Sequence, residues 1–140
     1  MDEILKLIRQ QEAATARGDA AGVLAAMSGD SVTYDFDPPL AKDADPDRGR
    51  EALERWFATW ENGVSVKLRD PRVLVDGDLA VVFGLSLMRG TKKGEAPTEF
   101  WSRRPVVLSR TEGDWKIVHD HASVPMHMDG SGKAALDLKP

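Results

Sequence analysis

Residues 112–125, EGDWKIVHDHASVP, read as a tight turn followed by a buried strand that carries two histidines two positions apart. Glu112, Gly113 and Asp114 supply the turn, and Trp115, Ile117 and Val118 supply the bulky and β-branched side chains that fit a pleated surface. Because side chains alternate along a strand, Trp115, Ile117, His119, His121 and Ser123 are expected on one face and Lys116, Val118, Asp120 and Ala122 on the other. Residues two apart on a face are separated by about 6.5–7 Å, so His119 and His121 can converge on one ligand, one metal ion or one reacting atom. The pair equally suits hydrogen-bonded structural histidines at a pocket wall or a subunit interface.

The chain before this strand changes period once. EFWSRRPVVLSR (99–110) and RVLVDGDLAVVFGLSLM (72–88) read as long strands, the latter folded at an Asp76-Gly77 hairpin, with GTKKGE (90–95) as the turn between them. Val64, Val66 and Leu68 alternate with Ser65, Lys67 and Arg69 in the same way. Upstream the spacing is helical: Ile4, Leu5 and Ile8 mark one helix, Gly18 its end, and Asp19 the cap of a second helix through Leu24 and Met27. SVTYDF (31–36) is a short strand that runs into a Pro- and Asp-rich loop (37–49). A third helix is expected from near Arg50, with Leu53, Trp56, Phe57 and Trp60 at i, i+3, i+4 and i+7.

Helices first and strands last predict an α+β domain over residues 1–126, a cone in which three N-terminal helices pack on a curved, mixed, mostly antiparallel sheet. Residues 127–140, with Gly, Ser and few large apolar groups, read as a C-terminal tail.

Composition narrows the function classes. The net charge is −4 and the only adjacent basic pairs are Lys92-Lys93 and Arg103-Arg104, too little for a phosphate-tracking stripe, so no nucleic acid is expected as a partner. The absence of cysteine excludes disulfides, thiolate metal sites and a thiol nucleophile. The N-terminus is acidic with helically spaced apolar residues, and the longest apolar run, LAVVFGLSLM (79–88), is about half of a membrane span. No membrane association and a cytoplasmic location are expected. The strand 79–88 is apolar on both sides while the helices cover one, which predicts a homodimer through the exposed sheet face.

Among side chains with chemistry, Asp37 stands where the first strand gives way to two prolines, a position that suits a general base and also ordinary Asp-Pro turn chemistry. Trp56, Trp60, Trp101 and Tyr34 form a large aromatic stock, and such a helix face over a concave sheet can leave an apolar cavity for a small molecule. Arg103 shares a strand face with Trp101 and suits a carboxylate or phosphate partner, from a ligand or from the protein itself. No phosphate-cradling glycine loop, nucleophile elbow or dinucleotide fingerprint is present, so no cofactor is expected. No transition metal is expected either, because a third ligand would have to come from the Pro-rich connection.

The element order, together with GDSVTYDFDPPL, GREALERWF, DGDLAVVFG and above all EGDWKIVHDHASVP, resembles the nuclear transport factor 2-like superfamily over about residues 3–126. Within it, the sequence is most similar to the SnoaL-like or ketosteroid isomerase-homologue branch, whose last strand ends His-x-His-x-Ser-x-Pro. The resemblance implies that Asp37 stands where the isomerase keeps its carboxylate base. The isomerase's oxyanion-hole tyrosine would fall near Gln11 and its protonated aspartate near Val106 or Val107; neither is present, which argues against steroid isomerisation. In the branch's usual Trp-x-Arg-x-Thr, Trp101 and Arg103 fit and Pro105 replaces Thr. The expectation is a small, largely apolar organic ligand in a conical pocket lined by Tyr34, Asp37, Trp56 and Trp60 on one side and Trp101, Arg103, His119 and His121 on the other. If the protein is an enzyme, the chemistry is proton transfer on a carbonyl compound, isomerase- or cyclase-like, with Asp37 or His121 as base and His119 or Arg103 polarising the oxygen. The alternative is a non-catalytic ligand-binding or protein-interaction module.

Overall fold

In the computed structural model, which describes residues 2–140, helix α1 (Asp2–Ala16) buries Ile4, Ile8, Gln11 and Ala14 along one stripe. The chain then turns at Gly18, in the left-handed region at φ 70°, and Asp19 caps α2 (Ala20–Ala25) by accepting a 2.9 Å hydrogen bond from the Gly22 amide. That bond, with Arg17 beside it, holds the Asp19 carboxyl below its ordinary pKa. A lowered folded-state pKa makes the cap's contribution complete above the usual carboxylate range and lost as pH falls through the lowered value.

Strands β1 (Met27–Tyr34) and β2 (Lys42–Asp43) follow, then α3 (Pro46–Ala58), capped by Asp45 and opened by Pro46 at its first turn. Strands β3 (Trp60–Asp76), β4 (Leu79–Lys92), β5 (Pro97–Thr111) and β6 (Asp114–His121) complete the chain. They form one sheet of order β2-β1-β6-β5-β4-β3, antiparallel throughout except for the parallel β1–β6 pair. The Asp76-Gly77 turn closes β3 onto β4 as the sequence predicts.

The helical layer is thinner than expected. Only α1 is a long helix with a buried face; α2 has six residues, and α3 has no buried residue and meets the sheet through half-buried Trp56, which packs on Trp60. Asp47, Arg48, Arg50, Glu51, Glu54 and Arg55 leave α3 too few apolar positions to bury. The helix begins at Pro46, ahead of Arg50, and stops at Ala58, so Trp60 opens β3 and does not continue the aromatic helix face.

The inner face of the sheet, toward α1, is built from alternate residues: Leu68 of β3, Ala80 and Val82 of β4, Val106 and Leu108 of β5, Ile117 of β6. With Ile4 and Ile8 these make the core, each large side chain adding roughly 1.5–3 kcal/mol by burial. At the far end Trp60 lies flat against Gly90, where an added Cβ would come within 2.7 Å of the indole. Gly90→Ala is therefore expected to displace Trp60 and cost about 1–3 kcal/mol in urea unfolding; an unchanged midpoint would mean that the indole does not rest on this glycine.

One bulge reassigns a face. Leu108 pairs with Ile117 but Val107 pairs with His119, so Val118 is an extra residue on β6. Ile117 points inward, and His119 and His121 point outward with Val107, away from Trp115 and Ile117; Asp120, opposite Val106, points inward. The single-face alternation expected over 115–123 is broken by this insertion. Along the C-terminal tail Met126 bridges Ala134, Ala135 is buried and donates to the Pro125 carbonyl, and Gly130 and Gly132 turn the chain at positive φ.

Candidate functional site

The inward arm of the bulge builds a buried polar cluster. Arg104 alternates with Ser102 and Val106 on the inner face of β5 and is 9% exposed. Its Nε donates to Asp120 Oδ1 at 3.1 Å, and its Nη2 donates to Asp120 Oδ2 at 2.9 Å and to Gln11 Oε1 at 2.8 Å. Burial works against the charge, but the facing Asp120 carboxylate outweighs it, Glu12 and Asp35 add to it, and the guanidinium is held above its ordinary pKa. A raised folded-state value leaves this contribution complete at every pH below the arginine's unfolded pKa. Among the described residues no acceptor bonds Nη1.

Further along the same face, Ser86 lies opposite Ser102, Met88 opposite Phe100, and Gly90 beneath Trp60. Ser86 Oγ and Trp60 Nε1 are buried with no hydrogen-bond partner among the described residues. An orphaned buried polar group costs roughly 1–3 kcal/mol. Trp56 packs edge-on against Trp60 at 5.8 Å, and Phe36 reaches from the loop onto Phe100 at 5.6 Å. The strip from Gly84 to Gly90 is about 20 Å long, with Arg104 at one end and tryptophan at the other.

The sheet separates the residues that the sequence suggested for one pocket. Trp56 and Trp60 stand over the inner face. Tyr34, His119 and His121 cluster on the outer face, ring centroids 4.5 Å (Tyr34–His119), 5.8 Å (Tyr34–His121) and 6.3 Å (His119–His121) apart. Trp101 and Arg103 share that outer face, opposite Leu87 and Leu85. His119 Nδ1 lies 2.7 Å from the Val32 carbonyl, an oxygen that can only accept, so Nδ1 is the donor. Tyr34, Asp35, Leu40 and His121 border an open cleft of about 450 Å³. Asp37 joins neither face: its carboxylate, 67% exposed, takes a 2.6 Å ion pair from Lys42, so the apolar surroundings expected of a general base are missing. Asp35 is the loop-end carboxylate whose charge reaches Arg104.

The sequence reading missed Arg104, Asp120 and Ser86. Arg104 carried a legible signal, since it keeps step with Phe100, Ser102, Val106 and Leu108, the residues that face the core. Asp120 carried none, because its inward direction depends on the bulge.

Family comparison agrees with this architecture. A SnoaL-like domain model matches residues 4–127, and the chain belongs to that family. No curated protein matches the sequence. Among solved structures, an NTF2-like protein of unknown function from Pseudomonas putida is 26% identical over 99% of this chain and 95% of that one, with a TM-score of 0.83. A Novosphingobium aromaticivorans protein provisionally named a scytalone dehydratase is 16% identical over 100% of this chain and 93% of that one, TM-score 0.78. A Shewanella frigidimarina protein provisionally named a ketosteroid isomerase is 20% identical over 84% and 92%, TM-score 0.67. The latter two likenesses concern the fold.

Proposed function

We infer that the chain binds a small, largely apolar organic molecule bearing an oxygen acceptor, held on the inner face of the sheet between the Trp56–Trp60 wall and Arg104. The observation that carries this reading is the pair of unfilled donors on one buried face, Ser86 Oγ and Trp60 Nε1. Donors without acceptors suit a carbonyl or carboxylate oxygen, and the surrounding rings suit an apolar body. Binding is the primary function in this reading, because Asp120, the carboxylate bonded to Arg104, is committed to a bidentate ion pair with it.

A second reading adds catalysis. The Arg104 guanidinium on this face can polarise a carbonyl oxygen, the electrostatic half of proton transfer next to a carbonyl. The isomerase and dehydratase names of the structural neighbours are compatible with it. A thermal-shift screen of small aromatic, steroid-like and polyketide-like carbonyl compounds tests the binding claim. Ser86→Ala sharpens it: removing an unpaired buried hydroxyl leaves the free protein as stable or more so, while stabilisation by a hit falls. A hit that stabilises the variant and the wild type equally does not bind here.

A further inference from the structure

We propose that the free edge of the sheet along β3 is a pairing edge for a second copy of this chain, and that Arg9 and Glu12 of α1 keep it closed by standing in for the missing neighbour strand. β3 is the last strand of the sheet, so one side of its backbone faces no other strand. Such an edge is a template on which another chain can pair.

Two bulges divide this edge. Asn62 and Gly63, at φ 61° and 86°, interrupt the ladder between Glu61 and Val64. Asp70, at φ 42°, and Pro71, which has no N–H to offer, interrupt it between Arg69 and Arg72. Between the bulges Val64–Arg69 pairs with β4 in unbroken register and carries apolar Val64, Val66 and Leu68 at alternate positions. This is the regular stretch that an incoming strand would read.

At Leu68 both backbone groups are already taken. Glu12 Oε1 accepts from the Leu68 amide at 3.0 Å, and Arg9 Nη1 donates to the Leu68 carbonyl at 3.0 Å. The same Arg9 nitrogen bonds both Glu12 oxygens at 2.8 Å, which joins the two side chains into one unit. A carboxylate facing the N–H and a guanidinium facing the C=O reproduce the acceptor and donor that a paired residue would present. Glu12 is 9% exposed, with Arg9 over it at 40%.

The direction of these bonds defines the pairing that they prevent. Residues two apart on a strand turn their backbone groups the same way, so Val64 and Val66 present theirs on the side where Leu68 meets α1. Two copies meeting here about a twofold axis would set Val66 against itself and Val64 against the partner's Leu68. That register needs a free Leu68 in each copy, and the side chains from α1 occupy the place of the incoming strand.

Sedimentation velocity over a roughly tenfold range of protein concentration reads the edge, with hydrogen exchange at Val66 to locate the contact. The edge is distinct from the sheet face, so the quantity of interest is growth beyond the particle that the wild type forms. Arg9→Ala/Glu12→Ala is expected to reach about twice the wild-type mass or more at the top of the range, as the Val66 amide gains protection. Glu12→Gln keeps an acceptor for the Leu68 amide and is expected to stay at the wild-type mass. Arg9→Ala alone changes a part-exposed side chain, retains the fold should the double variant lose it, and is expected to associate at the higher concentrations. Ile117→Ala controls for instability, because it empties the core and leaves the edge guarded. No association in either arginine variant would overturn the proposal, as would equal association in Ile117→Ala or in Glu12→Gln. Association that leaves Val66 exchange at its wild-type rate would place the contact elsewhere and overturn it as well.

Discussion

Asp120→Ala should lower the stability of the protein by about 3–5 kcal/mol, a fall of roughly 10 °C in Tm. The substitution leaves the Arg104 guanidinium in a site where it is 11% exposed, stripped of its bidentate partner and left with only the Gln11 oxygen. The loss is the penalty of an uncompensated buried charge, not the net worth of the pair. For that reason the triple change Gln11→Leu, Arg104→Met and Asp120→Leu is expected to recover most of it, since apolar groups of similar volume remove the charge and its partners together. Equilibrium urea unfolding of the two variants beside the wild type gives the comparison. A single-variant cost under about 1 kcal/mol would mean that Asp120 and Arg104 are not a buried pair.

The second large effect tests which way β6 faces. Ile117 is fully buried in the core and is expected to cost about 2–5 kcal/mol when replaced by alanine. His119, two residues on, would share that core position in a regular strand. The bulge at Val118 instead sends it outward to bond the Val32 carbonyl, so His119→Ala should cost only about 1 kcal/mol, the scale of one hydrogen bond. Equal costs at the two positions would contradict the face assignment.

That bulge also marks where sequence reasoning stopped. Strands and hairpin were legible because their information is local and periodic: Val64, Val66 and Leu68 alternate, and Asp76-Gly77 has the turn chemistry a hairpin needs. The Asp19 cap was legible for the same reason. The family was legible in the ending from Trp115 to Pro125. A bulge is one unpaired residue and leaves no composition of its own, so Asp120 and the two histidines were assigned to the wrong sides of the sheet. Adjacent Arg103 and Arg104 must point opposite ways, and only the step of Val106 and Leu108 tells which one enters the core. The helical layer was overestimated because Leu53, Trp56 and Phe57 have helical spacing on a segment otherwise too charged to bury. Asp37 followed family position, whereas its contacts follow Lys42.

The inner-face site can be tested by a single spectrum. Trp60 Nε1 is buried and lacks a protein acceptor, so an oxygen-bearing ligand that stabilises the protein should supply one. Recording the four tryptophan indole N–H resonances with and without the best compound from the thermal-shift screen, the inner-face account predicts a downfield shift of Trp60, with Trp56 following and Trp101 unmoved. A stabilising compound that leaves the Trp60 resonance in place would contradict it.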